Sequence, residues 1–248
     1  MDNEEKIALI SDIHGNNWAL EEVLKDIKER NIKTIFNLGD SLYGPLDPIE
    51  TYNLLKKHNI YNISGNEDRI IIENIQRGKN NKTLKYVLYV INQEIIEWLK
   101  SLKKTMIIDE FFLCHGTPKR DDQYLIEKID SRGVIVKNNK EITKEIEGIT
   151  QKIICCGHSH IFNSIALESD KFVVNPGSVG LQAYTDEIPV HHKMETGTNK
   201  ASYCIIKKEK NRYTFEKIFI PYDWNSASKY ALKNNHKKWA KWLSTGKV

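Results

Sequence analysis

The sequence predicts an α/β (α+β) domain in layers, and two patterns carry that prediction. In the first hundred residues short apolar runs alternate with amphipathic segments of helical period, the order that builds a parallel sheet covered by helices. Further along, apolar runs follow one another with few helical segments between them, which favours antiparallel pairing.

Lys6–Ser11 is an apolar strand ending in a polar loop, and Leu20, Val23, Leu24 and Ile27 then recur at helical spacing. Thr34–Leu38 is a second strand, closed by Gly39-Asp40. Asp47-Pro48 opens a helix through Lys57, because proline suits the first helical turn. Ile60–Ser64 is a third strand, ending in Gly65-Asn66-Glu67-Asp68. Over residues 82 to 102, Leu84, Val87, Leu88, Ile91, Ile95, Trp98 and Leu99 form one broad stripe, which predicts a single long helix lying on a sheet. Strands are then expected at Thr105–Ile108, Phe111–Cys114, Lys152–Cys156, Ile165–Leu167, Phe172–Asn175, Ser202–Lys207 and Tyr213–Ile220. Leu181–Lys200, polar and turn-rich, is expected to be the least structured stretch.

Composition narrows the classes. The chain has 248 residues, 40% hydrophobic and 28% charged, a balance that excludes intrinsic disorder and suits one domain spanning 1–248. No apolar run reaches the roughly 18 residues of a membrane span, and the opening Met-Asp-Asn-Glu-Glu-Lys lacks the basic-then-apolar pattern of a secretion leader. The expectation is a cytoplasmic protein without a membrane partner. Cys114, Cys155, Cys156 and Cys204 form no Cys-x-x-Cys pair, and three of them lie in apolar runs, as small core residues do. Residues 229 to 248 hold six lysines and no acid, so this tail carries +6 of a net +4 and leaves the body at −2. With Trp239 and Trp242, the tail at about 223–248 reads either as a nucleic-acid patch or as a helix docked through Tyr230, Leu232, Trp239 and Trp242, with its lysines in water.

The chemistry gathers just after the strands, where open α/β sheets bind ligands. The blocks are Asp12-Ile13-His14-Gly15-Asn16, Gly39-Asp40, Gly65-Asn66-Glu67-Asp68, Cys114-His115-Gly116 and Gly157-His158-Ser159-His160. Oxygen and imidazole donors in this mixture suit manganese, iron, zinc or nickel, and Asp12, His14, Asp40, Asn66, His115, His158 and His160 are more ligands than one tetrahedral ion uses. Two ions fit better, and paired ions recur in hydrolases of phosphate esters. Taken singly, each block is an ordinary turn; their order and their glycines give the set its weight.

With those blocks in place, the chain resembles the calcineurin-like metallophosphoesterase superfamily, and in particular its small bacterial and archaeal phosphodiesterase-type members, from about residue 5 to about residue 220. The Asn175-Pro176-Gly177-Ser178 turn after the last histidine block belongs to the same pattern. The resemblance implies a two-layer β-sandwich flanked by helices, with a dinuclear metal site at the sheet edge. It would place one divalent ion, manganese first, on Asp12, His14, Asp40 and His160, and a second on Asp40, Asn66, His115 and His158, with Asp40 shared. It further implies hydrolysis of a phosphate ester, most simply a diester in a small molecule or nucleotide, by attack of a metal-bridging hydroxide. Asp40, Asn66, Glu67 and His115 are the residues nearest that chemistry.

Two departures leave readings open. Many members have histidine where Glu67 stands, and that histidine is credited with assisting the leaving group. Glu67 either donates a proton, if burial raises its pKa, or only opens the next helix, where an acid is favoured by the helix dipole. The 181–200 stretch is longer than in short relatives. It contains Tyr184, His191, His192 and Lys193, and it either folds over the metal edge, where one of its histidines replaces the missing acid and the loop selects substrates, or is disordered or purely structural. Arg69, Lys119 and Arg120 flank ligand blocks and either hold a substrate phosphate or are simply solvated. Because the same fold also serves as a protein-interaction platform, a scaffold is the rival to the enzyme, and the complete ligand set argues against it.

Overall fold

The computed structural model describes residues 5–75, 81–210 and 212–248, so Met1–Glu4 of the leader argument lie outside it. The chain runs β1 (Glu5–Ile10), α1 (Asn17–Glu29), β2 (Thr34–Asn37), α2 (Pro48–Lys57), β3 (Ile60–Asn62), α3 (Asn66–Glu73), α4 (Lys82–Val90) and α5 (Gln93–Ser101). There follow β4 (Thr105–Ile108), β5 (Phe111–Cys114), β6 (Glu127–Asp130), β7 (Gly133–Val136), α6 (Asn139–Glu145), β8 (Ile153–Cys155), β9 (Asn163–Ala166) and β10 (Phe172–Asn175). The remaining elements are β11 (Ala183–Asp186), β12 (His192–Glu195), β13 (Ala201–Glu209), β14 (Arg212–Ile220), α7 (Trp224–Lys233) and α8 (Lys237–Thr245).

Two five-stranded sheets form the layers, one ordered β14-β13-β1-β2-β3 and the other β4-β5-β8-β10-β9. The first half pairs in parallel as expected, β1 with β2 and β2 with β3. The later strands do not simply pair antiparallel. β13 and β14 join the first sheet as an antiparallel edge, whereas β5, β8 and β10 lie parallel in the second. Residues 116–151, which contain β6, β7 and α6, supply the connection that parallel β5 and β8 require.

Strand alternation sorts the core. Ile7 and Leu9 face the second sheet, meeting Phe111, Leu113, Ile153 and Cys155, while Ala8 and Ile10 face α1 and the C-terminal helices. On the far face of the second sheet, Phe112, Cys114, Ile154 and Cys156 pack with Ile142 and Ile146 at α6. All four cysteines are buried and free. Leu20, Val23, Leu24 and Ile27 are the buried stripe of α1, and Asp47 caps α2 by accepting from the Glu50 N–H.

Three further expectations are corrected. The 82–102 helix is two helices, because Ile91 is extended (ψ 146°) and Asn92 caps a new start, its side chain accepting from Ile95 N. The apolar stripe runs through the break because both helices bury the same side, in a cluster that includes Leu84, Val87, Ile95 and Leu99. The 181–200 stretch is an ordered hairpin, β11 pairing with β12 from Ala183↔Glu195 to Asp186↔His192. The C-terminal segment is a pair of helices rather than one. Trp239 and Trp242 are buried and Tyr230 packs on Trp18, but Leu232 faces solvent, 49% exposed. No helix among the described residues is long and apolar enough to cross a membrane.

Candidate metal centre

The loops after β1 and β2 are zipped together by backbone: Asp12 N donates to Gly39 O, His14 N to Asp40 O and Gly15 N to Ser41 O. Gly39 sits at φ +99° with its Cα hydrogen side against the Gly65 backbone, so this contact excludes any side chain. A Cβ on Gly65 would collide with Asp40. The start of α3 is thereby pressed onto Asp40, and Glu67 N donates to Asp40 Oδ1 at 2.8 Å. Asp68 turns back to accept from Gly65 N and Ser41 N, both at 3.0 Å. The loop after β8 joins the others where His158 N donates to Asp12 Oδ2 and Gly157 N to His115 O.

These contacts bring Asp12, His14, Asp40, Asn66, His115, His158 and His160 into one buried patch, none more than 9% exposed. Their ligand atoms fall into two groups, Asp12 with His14 and His160, and Asp40 with His115 and His158. Asp12, His14, Asp40, His158 and His160 all have φ between 52° and 69°. For residues with a side chain that region is disfavoured, so the surrounding contacts must hold them there.

Hydrogen bonding fixes the imidazoles. Nδ1 of His14 lies 2.8 Å from Tyr43 O, that of His115 2.8 Å from Leu38 O and that of His160 2.6 Å from Leu181 O. A carbonyl only accepts, so each Nδ1 carries a proton and each Nε2 faces the patch. His14 Nε2 and His160 Nε2 then face each other at 3.1 Å with no proton between them in the neutral form. Asn66 Oδ1 is buried without a hydrogen-bond partner among the described residues, and Asp12 Oδ1 and His115 Nε2 meet His160 Nε2 and Asp40 Oδ2, each at 3.2 Å. Such groups are costly when left unmatched. A cation beside each group matches them, and the nitrogen and oxygen donors suit a borderline divalent ion.

Charge within the patch is arranged accordingly. Burial pushes the Asp12 and Asp40 carboxyls up, but the neighbouring histidines override it and hold both below the usual carboxylate range. Burial disfavours a charge on His115, yet Asp40, 3.2 Å from its Nε2, and Asp12 raise it to about 10. Burial and neighbouring histidines lower His14 and His158 to about 4, so both are neutral at pH 7. Glu67 is pushed well up by burial, then by Asp40 and Asp68, and its buried Oε2 lacks a partner. Asp68 is raised to about 7 by burial and by Asp40.

The flanking candidates separate. Arg69 is held at two points by Asp121, both 2.8 Å, and also reaches Glu73, so it is not a free phosphate clamp. Arg120 pairs with Asp122, and Lys119 is an exposed wall residue of a 290 Å³ hollow beside His115. In the hairpin, His191 pairs with Glu187 at the surface and His192 bonds Tyr124 and Val190 O, so neither stands in Glu67's place. Tyr184 does reach the centre: its hydroxyl donates to His158 O and its ring lies 4.5 Å from that of His160.

The profile of the calcineurin-like phosphoesterase superfamily domain matches residues 6–197. The chain belongs to the calcineurin-like phosphoesterase superfamily. An uncharacterized protein of Methanocaldococcus jannaschii is 32% identical over 260 residues, covering 94% of each chain. A metallophosphoesterase from Sphaerobacter thermophilus shares the fold, with a TM-score of 0.75 at 22% identity, covering 98% of this chain and 100% of that one. Tyr43, Tyr184, Trp239 and Trp242 also line this site, in a 280 Å³ cleft, and of these only Tyr184 lies in a stretch expected from the sequence to reach the metal edge. Trp239 lies 225 residues after His14, whose ring it meets, and no local pattern signals that approach.

Proposed function

We propose that this protein is a metal-dependent phosphoesterase that prefers diesters. The observation that carries the reading is the pair of adjoining buried groups of carboxylate and imidazole donors, with His14 Nε2 turned onto His160 Nε2 at 3.1 Å. Asp12, His14, Asp40 and His160 would hold one divalent ion, and Asp40, Asn66, His115 and His158 another, with Asp40 between them. Bound there, two divalent cations supply Lewis acidity, which acidifies water and draws charge from phosphate oxygens.

The chain's own residues do the rest. Glu67 is the proton donor to the leaving oxygen: burial, then the Asp40 and Asp68 carboxyls, favour its neutral form, and Glu67 lines the cleft. Asp68 ties Gly65 and Ser41 and so fixes where Asn66 and Glu67 stand. The diester preference rests on shape. Asn66, Glu67, His158 and Asp186 lie on the boundary of two clefts, of 280 Å³ and 740 Å³, giving room for a substituent on either side of phosphorus.

The deciding experiment strips the protein of metal, resupplies manganese and follows hydrolysis of paired chromogenic mono- and diesters, with Asp40→Asn as control. Expected is manganese-dependent diester cleavage, falling by about three orders of magnitude in the variant, the scale of a lost electrostatic stabiliser at its upper end. Full activity in Asp40→Asn sinks the ligand assignment. Turnover of neither ester with metal bound turns the reading to an interaction platform.

A further inference from the structure

The C-terminal helices lie beyond the family-matched residues 6–197, yet they build one wall of the cleft. Their seat is well defined. Val248 N donates to Glu195 Oε1, Gly197 N to Gly246 O, Asn234 Nδ2 to Pro45 O, and Lys82 Nζ to Asn235 O. The hairpin, the loop after β2 and α4 therefore all grip α7 and α8.

This seat delivers two indoles to the centre. The Trp239 ring stands edge-on to the His14 ring at 5.8 Å, and the Trp242 ring lies 6.1 Å from that of Trp239. Trp239 and Trp242 are 9% and 8% exposed, and both line the cleft, together with Tyr43 and Leu181. Asn81 and Thr83 add polar edges beside Tyr43. An apolar wall of two indoles tilted 46° to one another, with hydrogen-bonding groups at its rim and opening directly onto His14 and Asp40, suits a planar heterocycle attached to the phosphate. At 280 Å³ the space lies just below the roughly 300 Å³ at which pockets for drug-sized ligands begin. It holds one ring system and its sugar, not a polymer.

We infer that α8 is a substrate-recognition element and that its Trp239–Trp242 wall receives the base of a nucleotide, so the esters this protein cleaves carry a nucleoside. The inference rests on the phosphoesterase reading of the same site and names its substrate class.

Isothermal calorimetry on the full-length protein, with and without manganese, tests it by comparing AMP with ribose 5-phosphate, which share sugar and phosphate and differ in the base. AMP is expected to bind about tenfold to a hundredfold more tightly, the range of base–aromatic stacking. In Trp242→Leu that preference should collapse, and in Trp242→Phe most of it should remain. Equal affinities in the wild-type protein, or a preference undiminished in a folded Trp242→Leu, overturn the inference; if Trp242→Leu does not fold, the wild-type comparison and Trp242→Phe decide. A base preference without hydrolysis of any ester leaves the ring site standing and removes the phosphoesterase reading. Manganese-dependent hydrolysis without a base preference does the reverse.

Discussion

The interface between the two sheets and the rim where their strands end obey opposite rules. At the interface Ile7, Leu9, Phe36, Leu113, Ile153 and Cys155 are at most 3% exposed and interdigitate in regular strand geometry. At the rim, equally buried side chains are polar, several lack partners, and five of the ten non-glycine residues with positive φ among those described are Asp12, His14, Asp40, His158 and His160. The difference shows how strain is housed. Unfavourable backbone and closely set polar groups are collected at one edge, where a bound cation would relieve them, and the apolar layer beneath offsets their cost.

If that division is real, substitutions on the two sides should separate stability from activity. The largest effect on stability is expected for Leu9→Ala, a cavity at the interface costing about 2–5 kcal/mol. Thermal unfolding should shift down by several degrees, while hydrolysis per folded molecule stays unchanged. A loss of activity in folded Leu9→Ala would erase the boundary between the regions. Glu67→Gln is expected to do the opposite. Diester cleavage should fall about a hundredfold for poor leaving groups and little for good ones, the signature of a lost proton donor. Its melting temperature should hold or rise, because the substitution removes a buried carboxyl beside Asp40 and Asp68.

The third prediction concerns protons. In the metal-free protein His115 is raised to about 10 from 6.5, so the stability it adds is full below pH 6.5 and is lost as pH climbs toward 10. A ligand must be deprotonated, so manganese binding at pH 8 should release about one proton from His115. Calorimetry in buffers of different ionisation enthalpy measures that release, and His115→Gln should abolish it. The smallest effect is expected at Asn92→Ala, which removes the cap that divides α4 from α5. A loss of about 1 kcal/mol without change in hydrolysis would place this junction with the framework.

The legibility of the sequence divides along the same line. Strand periods were readable because each strand has one face or both in a core, and β4, β5 and β10 lie where the alternation puts them. The break at Asn92 had a local signal, a capping side chain, but the stripe on either side masked it. The hairpin at 183–195 had almost none. Its Tyr184 and His192 are held by Tyr124 and by the loop bearing His158, partners tens of residues distant. The same holds for Glu67: its place at the head of α3 was legible, whereas its burial against Asp40 and Asp68 is a property of the folded edge.

By itself, then, the sequence determined the candidate donors and their order: aspartate, histidine and asparagine at strand ends, in blocks whose glycines let the loops close on one another. It could do so because those are local choices, made within a few residues of each strand. Only the tertiary structure decided that Arg69 is occupied by Asp121, that the hairpin stands over His158 and His160, and that Trp239 and Trp242 wall the cleft. These depend on contacts between segments more than two hundred residues apart at the extreme, set by how whole layers pack, and no short window of sequence contains both partners.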